Sequence, residues 1–98
     1  MTNRKISKLY ELLEKETIGI PKEIMKLDEF DINTKIIYSV LLNDALKNNQ
    51  DKIEFTNRVN SISLDFIFEN AVVKSEEEAK KVQRELPVLT KTMFESYP

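Results

Sequence analysis

The stretch Asn33-Thr34-Lys35-Ile36-Ile37-Tyr38-Ser39-Val40-Leu41-Leu42-Asn43-Asp44-Ala45-Leu46-Lys47 decides how the chain is read. Ile36, Ile37, Val40, Leu41 and Ala45 recur at the spacing of one helical face. Tyr38, Leu42 and Leu46 lie beside that stripe and widen it. An apolar stripe so broad predicts a central helix packed on more than one side. The following Asn48-Asn49-Gln50-Asp51 predicts a polar turn.

Working outward toward the N-terminus, Gly19 and Pro21 are the strongest punctuation in the chain. Pro21 suits the start of a helical turn over Lys22 to Lys26. Leu27 to Asp31 then predicts a loop whose Leu27 and Phe30 tuck inward. Before Gly19, Ile6, Leu9, Tyr10 and Leu13 fall at i, i+3, i+4 and i+7, an amphipathic helix over Asn3 to Glu16. That helix either caps the core or docks on another chain.

On the C-terminal side, Ile53 and Phe55 alternate with polar residues, and Lys52 to Asn57 predicts a short strand. A short helix follows, from Ser61 or Ser63 to about Asn70, with Leu64, Ile67, Phe68 and Ala71 inward. Ser75 and Glu78 form a capping-box pattern that opens a helix to Leu86 with Ala79, Val82 and Leu86 inward. Glu76–Lys80 and Glu77–Lys81 are acid-before-base pairs one turn apart. Pro87 predicts the end of that helix. The tail Val88 to Tyr97, rich in β-favouring residues, predicts a final strand.

Composition narrows the function. The 98 residues make one domain, and 41% hydrophobic with 33% charged residues describe a soluble globular chain. There is no His and no Cys, which removes imidazole bases, thiolate nucleophiles, disulfides and finger-type zinc sites. A single glycine leaves no phosphate-cradling loop. The expectation is therefore a non-enzyme with no cofactor and no metal. No apolar run approaches the roughly 20 residues of a membrane helix, and no signal peptide is visible, so a cytoplasmic protein away from membranes is expected. Fifteen Lys+Arg against seventeen Asp+Glu give a net charge of −2, which argues against attachment to nucleic acid by bulk charge.

The order helix, turn, central helix, short strand, short helix, turn, capped helix, strand is that of a winged helix. The expected fold is mainly α with short β strands: a single winged-helix-like, helix-turn-helix domain over 1–98, with an extra N-terminal helix over about 3–16. Within it, Ile20-Pro21-Lys22-Glu23-Ile24, the helix Asn33 to Leu42 with its Tyr38-x-x-Leu41-Leu42 step, and Lys47-Asn48-Asn49 resemble the N-terminal domain of plasmid replication initiators of the RepA type. That resemblance implies a winged-helix domain at origin DNA. In the family the helix after the turn opens with small polar and basic residues, whereas here it opens with Ser75, Glu76, Glu77 and Glu78. Carboxylates there repel phosphates and suit few base edges.

The resulting expectation is an accessory protein of plasmid, phage or other mobile-element DNA replication. It would bind a polymerase, primase or helicase and touch DNA weakly, alone or within a complex. The alternative is a dimeric winged-helix DNA-binding regulator, and a homodimer is compatible with either. Lys74, Lys80, Lys81, Arg84 and Lys91 are the candidate nucleic-acid contacts; the plainer alternative is a solvated face whose lysines pair with Glu76 and Glu77. Glu76 and Glu77 are candidate partner contacts or simple compensation of the helix dipole. Met93, Phe94 and Tyr97 are candidate partner contacts or the packing side of a last strand. Phe55, Phe66 and Phe68 are base-stacking platforms or, more ordinarily, core.

Overall fold

Side-chain caps start most of the helices. The computed structural model describes Leu9, Tyr10 and residues 19–97. Among these residues lie α1 (Lys22–Met25), α2 (Ile32–Lys47), α3 (Lys52–Asn60), α4 (Leu64–Asn70) and α5 (Glu76–Ser96). Asp31 caps α2 by accepting from the Asn33 N–H at 2.8 Å. Asp51 and Glu54 form a reciprocal capping box at α3, with bonds of 2.9 and 3.0 Å. Ser63 caps α4 and Ser75 caps α5. The Glu78 carboxylate reaches past the Ser75 N–H and accepts from Lys74 N–H at 2.8 Å, so the Ser75 box closes on one side only.

The end of α2 is equally local. Asn49 takes a left-handed φ of 56°, the Gln50 N–H donates to the Ala45 carbonyl and the Asn49 N–H to that of Leu46. This is the Schellman arrangement, with asparagine in the position glycine usually fills.

The described residues contain no strand, which overturns the winged-helix expectation. Lys52–Asn57 is helical because the Asp51/Glu54 box nucleates a turn, and Phe55 and Val59, four apart, then both face the core. The tail Val88–Tyr97 is no strand either: α5 runs through Pro87 to Ser96. Its inward residues Ala79, Val82, Leu86, Leu89 and Met93 step by three and four along one face. Burial of that face beyond Pro87 outweighs the lost proline N–H. No wing is present among the described residues. Phe68, expected inward, is 43% exposed; Phe66 packs on the core instead, with the Arg58 guanidinium over its ring at 5.3 Å.

The core gathers around α2. It contacts α1, α3, α4 and α5, and α5 in turn packs on α2, α3 and α4. Ile37, Tyr38, Leu41, Leu42 and Ala45 from α2 meet Phe55, Ile67, Leu86 and Leu89 from the later helices. Phe55 stands edge-on to Tyr38, with ring centroids 5.6 Å apart. Phe30 is buried and Leu27 packs against the cluster. Of the N-terminal helix expected over Asn3–Glu16, all but Leu9 and Tyr10 lies outside the described residues. These two are helical and buried in the same core, and the Tyr10 hydroxyl donates to the Gln50 carbonyl at 2.8 Å.

Candidate functional site

A helix whose buried stripe is Ala79, Val82, Leu86, Leu89 and Met93 turns the opposite side to solvent. On α5 that side carries Lys80, Arg84 and Lys91, all exposed. At about 100° per residue the three fall within about 40° of one another, a row rising roughly 16 Å along the axis. Pro87 and Val88 interrupt the row with exposed apolar surface. Glu76 and Glu77 stand at its amino end.

Ion pairing divides the candidate cations. Lys80 pairs with Glu76 at 3.5 Å, the expected contact one turn apart. Lys81 does not pair with Glu77; its ammonium reaches Asp31 at the start of α2, at 3.7 Å. Arg84 and Lys91 have no carboxylate within 4.0 Å among the described residues. Lys74 sits in the turn before α5 and is exposed, apart from the row.

The tail residues do not form a surface together. Met93 is 2% exposed and belongs to the core, which removes it as a partner contact in the folded chain. Phe94 is half-buried, edge-on to Phe55 at 6.0 Å, with the Lys52 ammonium 5.0 Å from its ring centroid. Tyr97 is half-buried against the same core. Of the phenylalanines offered as stacking platforms, Phe55 is sealed inside and Phe66 packed, leaving Phe68 outward.

Two residues that the sequence left unremarked hold this region together. The Asn33 side chain donates to the Val72 carbonyl at 3.2 Å and accepts from the Val72 N–H at 2.9 Å. It clamps the segment between α4 and α5 onto the start of α2. Glu85 accepts from the Asp31 N–H at 3.0 Å and from the Thr34 hydroxyl at 2.7 Å. A carboxylate from α5 thereby adds its charge to the amino end of α2, where the helix dipole favours it. The only sequence signal for Glu85 was an acid at the flank of the α5 stripe.

A groove of about 590 Å³ runs along the other side of α2, lined by Ile20, Met25, Ile36 and Val40 with Ser39 and Asn43. The buried Lys35 leaves its ammonium 2.6 Å from the Met25 carbonyl beside it. Burial raises the Tyr38 phenol far above its ordinary value; burial, then the Glu54 and Asp51 carboxylates, raise that of Tyr10. No cluster of carboxylates suited to a metal ion occurs among the described residues, and none of their helices is long and apolar enough to cross a membrane. Comparison with family models, curated proteins and solved structures finds no match to this chain.

Proposed function

We propose that this chain is a small non-catalytic accessory protein that works by binding a protein partner, in the setting of mobile-element DNA replication. The setting rests on the likeness of Ile20–Asn49 to plasmid initiators, and it makes a polymerase, primase or helicase in a reducing cytoplasm the class of partner. One observation supports protein over DNA as the main ligand: the outward side of α5 mixes charges. Glu76 and Glu77 lead it, Lys80 is already held by Glu76, and Val88 and Pro87 lie between Arg84 and Lys91. Duplex DNA offers anions in regular rows, which reward an unneutralised basic face. A protein surface rewards alternation of acid, base and apolar contact.

The test has two arms. Anisotropy titration of the protein alone with duplex DNA is expected to show only binding in the non-specific range, roughly 10⁻⁴ to 10⁻⁶ M at physiological salt. Affinity capture from the native host is expected to retain a replication protein on the wild type and to lose it on Lys80→Glu/Arg84→Glu/Lys91→Glu. Tight, sequence-specific DNA binding by the protein alone, abolished by the same three replacements, would overturn the proposal in favour of a DNA-binding regulator.

A further inference from the structure

One face of α2 is left out of the core. Ile36, Val40 and Asn43 recur at i, i+4 and i+7 with Ser39 beside them, and together with Ile20 and Met25 they line the groove of about 590 Å³. That volume falls in the range of small-molecule sites, about 300–1,000 Å³. Its walls are apolar: Met25 is 44% exposed, and Ile20, Ile36 and Val40 are half-buried.

Two polar groups beside these walls are buried without a full set of partners. Ser39 is 8% exposed, and its hydroxyl has no hydrogen-bond partner among the described residues. Lys35 is 5% exposed, and its ammonium donates to the Met25 carbonyl at 2.6 Å. No carboxylate lies within 4.0 Å of that ammonium among the described residues. Lys35 and Ser39 are one helical turn apart, which puts them on the same edge of α2. A buried ammonium is ordinarily held by an anion, and a buried hydroxyl by a hydrogen-bond partner. The segments that form the groove, residues 19–26 and 35–43, carry Lys22, Lys26 and Lys35 against one acid, Glu23. Apolar walls, a basic balance and two buried donors on one edge select a ligand with an aliphatic body and a single anionic head.

We infer that this groove binds a medium-chain aliphatic carboxylate. The tail lies along Ile20, Met25, Ile36 and Val40, and the carboxylate accepts from the Lys35 ammonium and the Ser39 hydroxyl. The inference goes beyond the partner-binding role, since it gives the chain a small-molecule ligand on a face separate from the outward side of α5.

The experiment titrates the full chain, isotope-labelled, with decanoate below its micelle concentration, and with decanol and decyltrimethylammonium as neutral and cationic counterparts. Saturable amide shifts centred on residues 19–26 and 35–43 are expected with decanoate. Decanol is expected to bind about tenfold more weakly, as loss of a charge-assisted hydrogen bond does, and decyltrimethylammonium more weakly still. Lys35→Met keeps the aliphatic stem and is expected to bring decanoate down to the affinity of decanol. Should that variant fail to fold, Ser39→Ala, which removes an unpartnered hydroxyl, is expected to keep the melt and weaken decanoate about threefold while sparing decanol. Met25→Ser is expected to weaken decanoate and decanol alike, because it shortens the wall that both tails share. Equal affinity for decanoate and decanol, shifts centred elsewhere, or unchanged decanoate binding in Ser39→Ala and Met25→Ser would each overturn the inference without touching the proposed function. Self-association by sedimentation, lost in Met25→Ser, would overturn it in favour of a second copy of the chain.

Discussion

The Tyr38 hydroxyl sits inside the core with no hydrogen-bond partner among the described residues. Its ring is well placed, edge-on to Phe55, but none of the described residues replaces the water its oxygen gave up. Burial favours the neutral phenol, so its folded value lies above the ordinary 10.0. The stability this group contributes is therefore complete below pH about 10 and is lost as pH rises above it, because the unfolded chain gives up the proton first. Tyr10 acts with the same sign, through burial and then the carboxylates of Glu54 and Asp51. Tyr38→Phe is expected to stabilise the protein by about 1 kcal/mol at neutral pH and to move alkaline unfolding to higher pH. Urea melts on both sides of pH 10 check this; a destabilised phenylalanine variant would mean that the hydroxyl has a partner after all. Asn33 is the opposite case, since both ends of its amide are used by Val72. Asn33→Ala is expected to cost about 2 kcal/mol in the same assay, because it strands a peptide N–H and a carbonyl.

Among the elements, α5 sets local rule against tertiary packing most openly. Proline in a helix interior costs about 3 kcal/mol relative to alanine, through the lost N–H and the crowded carbonyl of residue 83. Part of that is offset because proline also restrains the unfolded chain. Pro87→Ala is accordingly expected to stabilise by about 2 kcal/mol, read as a rise in melting temperature; no gain would place the true end of the helix at Leu86. The α5 stripe was already written in the sequence as Ala79, Val82, Leu86, Leu89 and Met93, yet a reading that stops at Pro87 sees only its first half. In α3, two alternating residues, Ile53 and Phe55, imitate a strand, while the Asp51/Glu54 box and the Phe55–Val59 step specify the helix that forms. By contrast α1 and α2 were legible to within a residue or so at their ends, since periodicity and punctuation agree there. In α4 sequence spacing places Phe66 and Phe68 symmetrically about Ile67. The inward choice falls to Phe66 because Arg58 from α3 covers it, a fact no local window holds. The site divides in the same way. Glu76–Lys80 follows from helical spacing, but Lys81–Asp31 joins residues fifty positions apart and displaces the local Glu77 pairing.

At the scale of the molecule the core is one cluster, running from Leu9 to Met93, and α2 passes through it. Its two sides differ in a way that the bare stripe does not reveal. Leu41 is 1% exposed and faces the later helices, whereas Val40 is half-buried and lines the groove beside Ile20 and Met25. A carboxylate at position 41 would sit within the apolar cluster that buries Leu41, and burying it so costs several kcal/mol or more. A domain of this size has a total stability of about 5–15 kcal/mol. Leu41→Asp is thus expected to abolish the cooperative thermal transition and the helical circular dichroism together, because every element after α1 packs on the cluster it breaks. Val40→Asp is expected to lower the melting temperature but to keep a cooperative transition, since its carboxylate can turn into the groove and stay hydrated. If both variants unfold alike, the groove is closed to solvent and Val40 belongs to the core. If Leu41→Asp melts cooperatively near the wild-type temperature, the chain is not organised around α2. In that case the end of α4 and the outward side of α5 lose their common support, for both are held in place by bonds to the first turn of that helix: Asn33 to Val72, and Thr34 to Glu85.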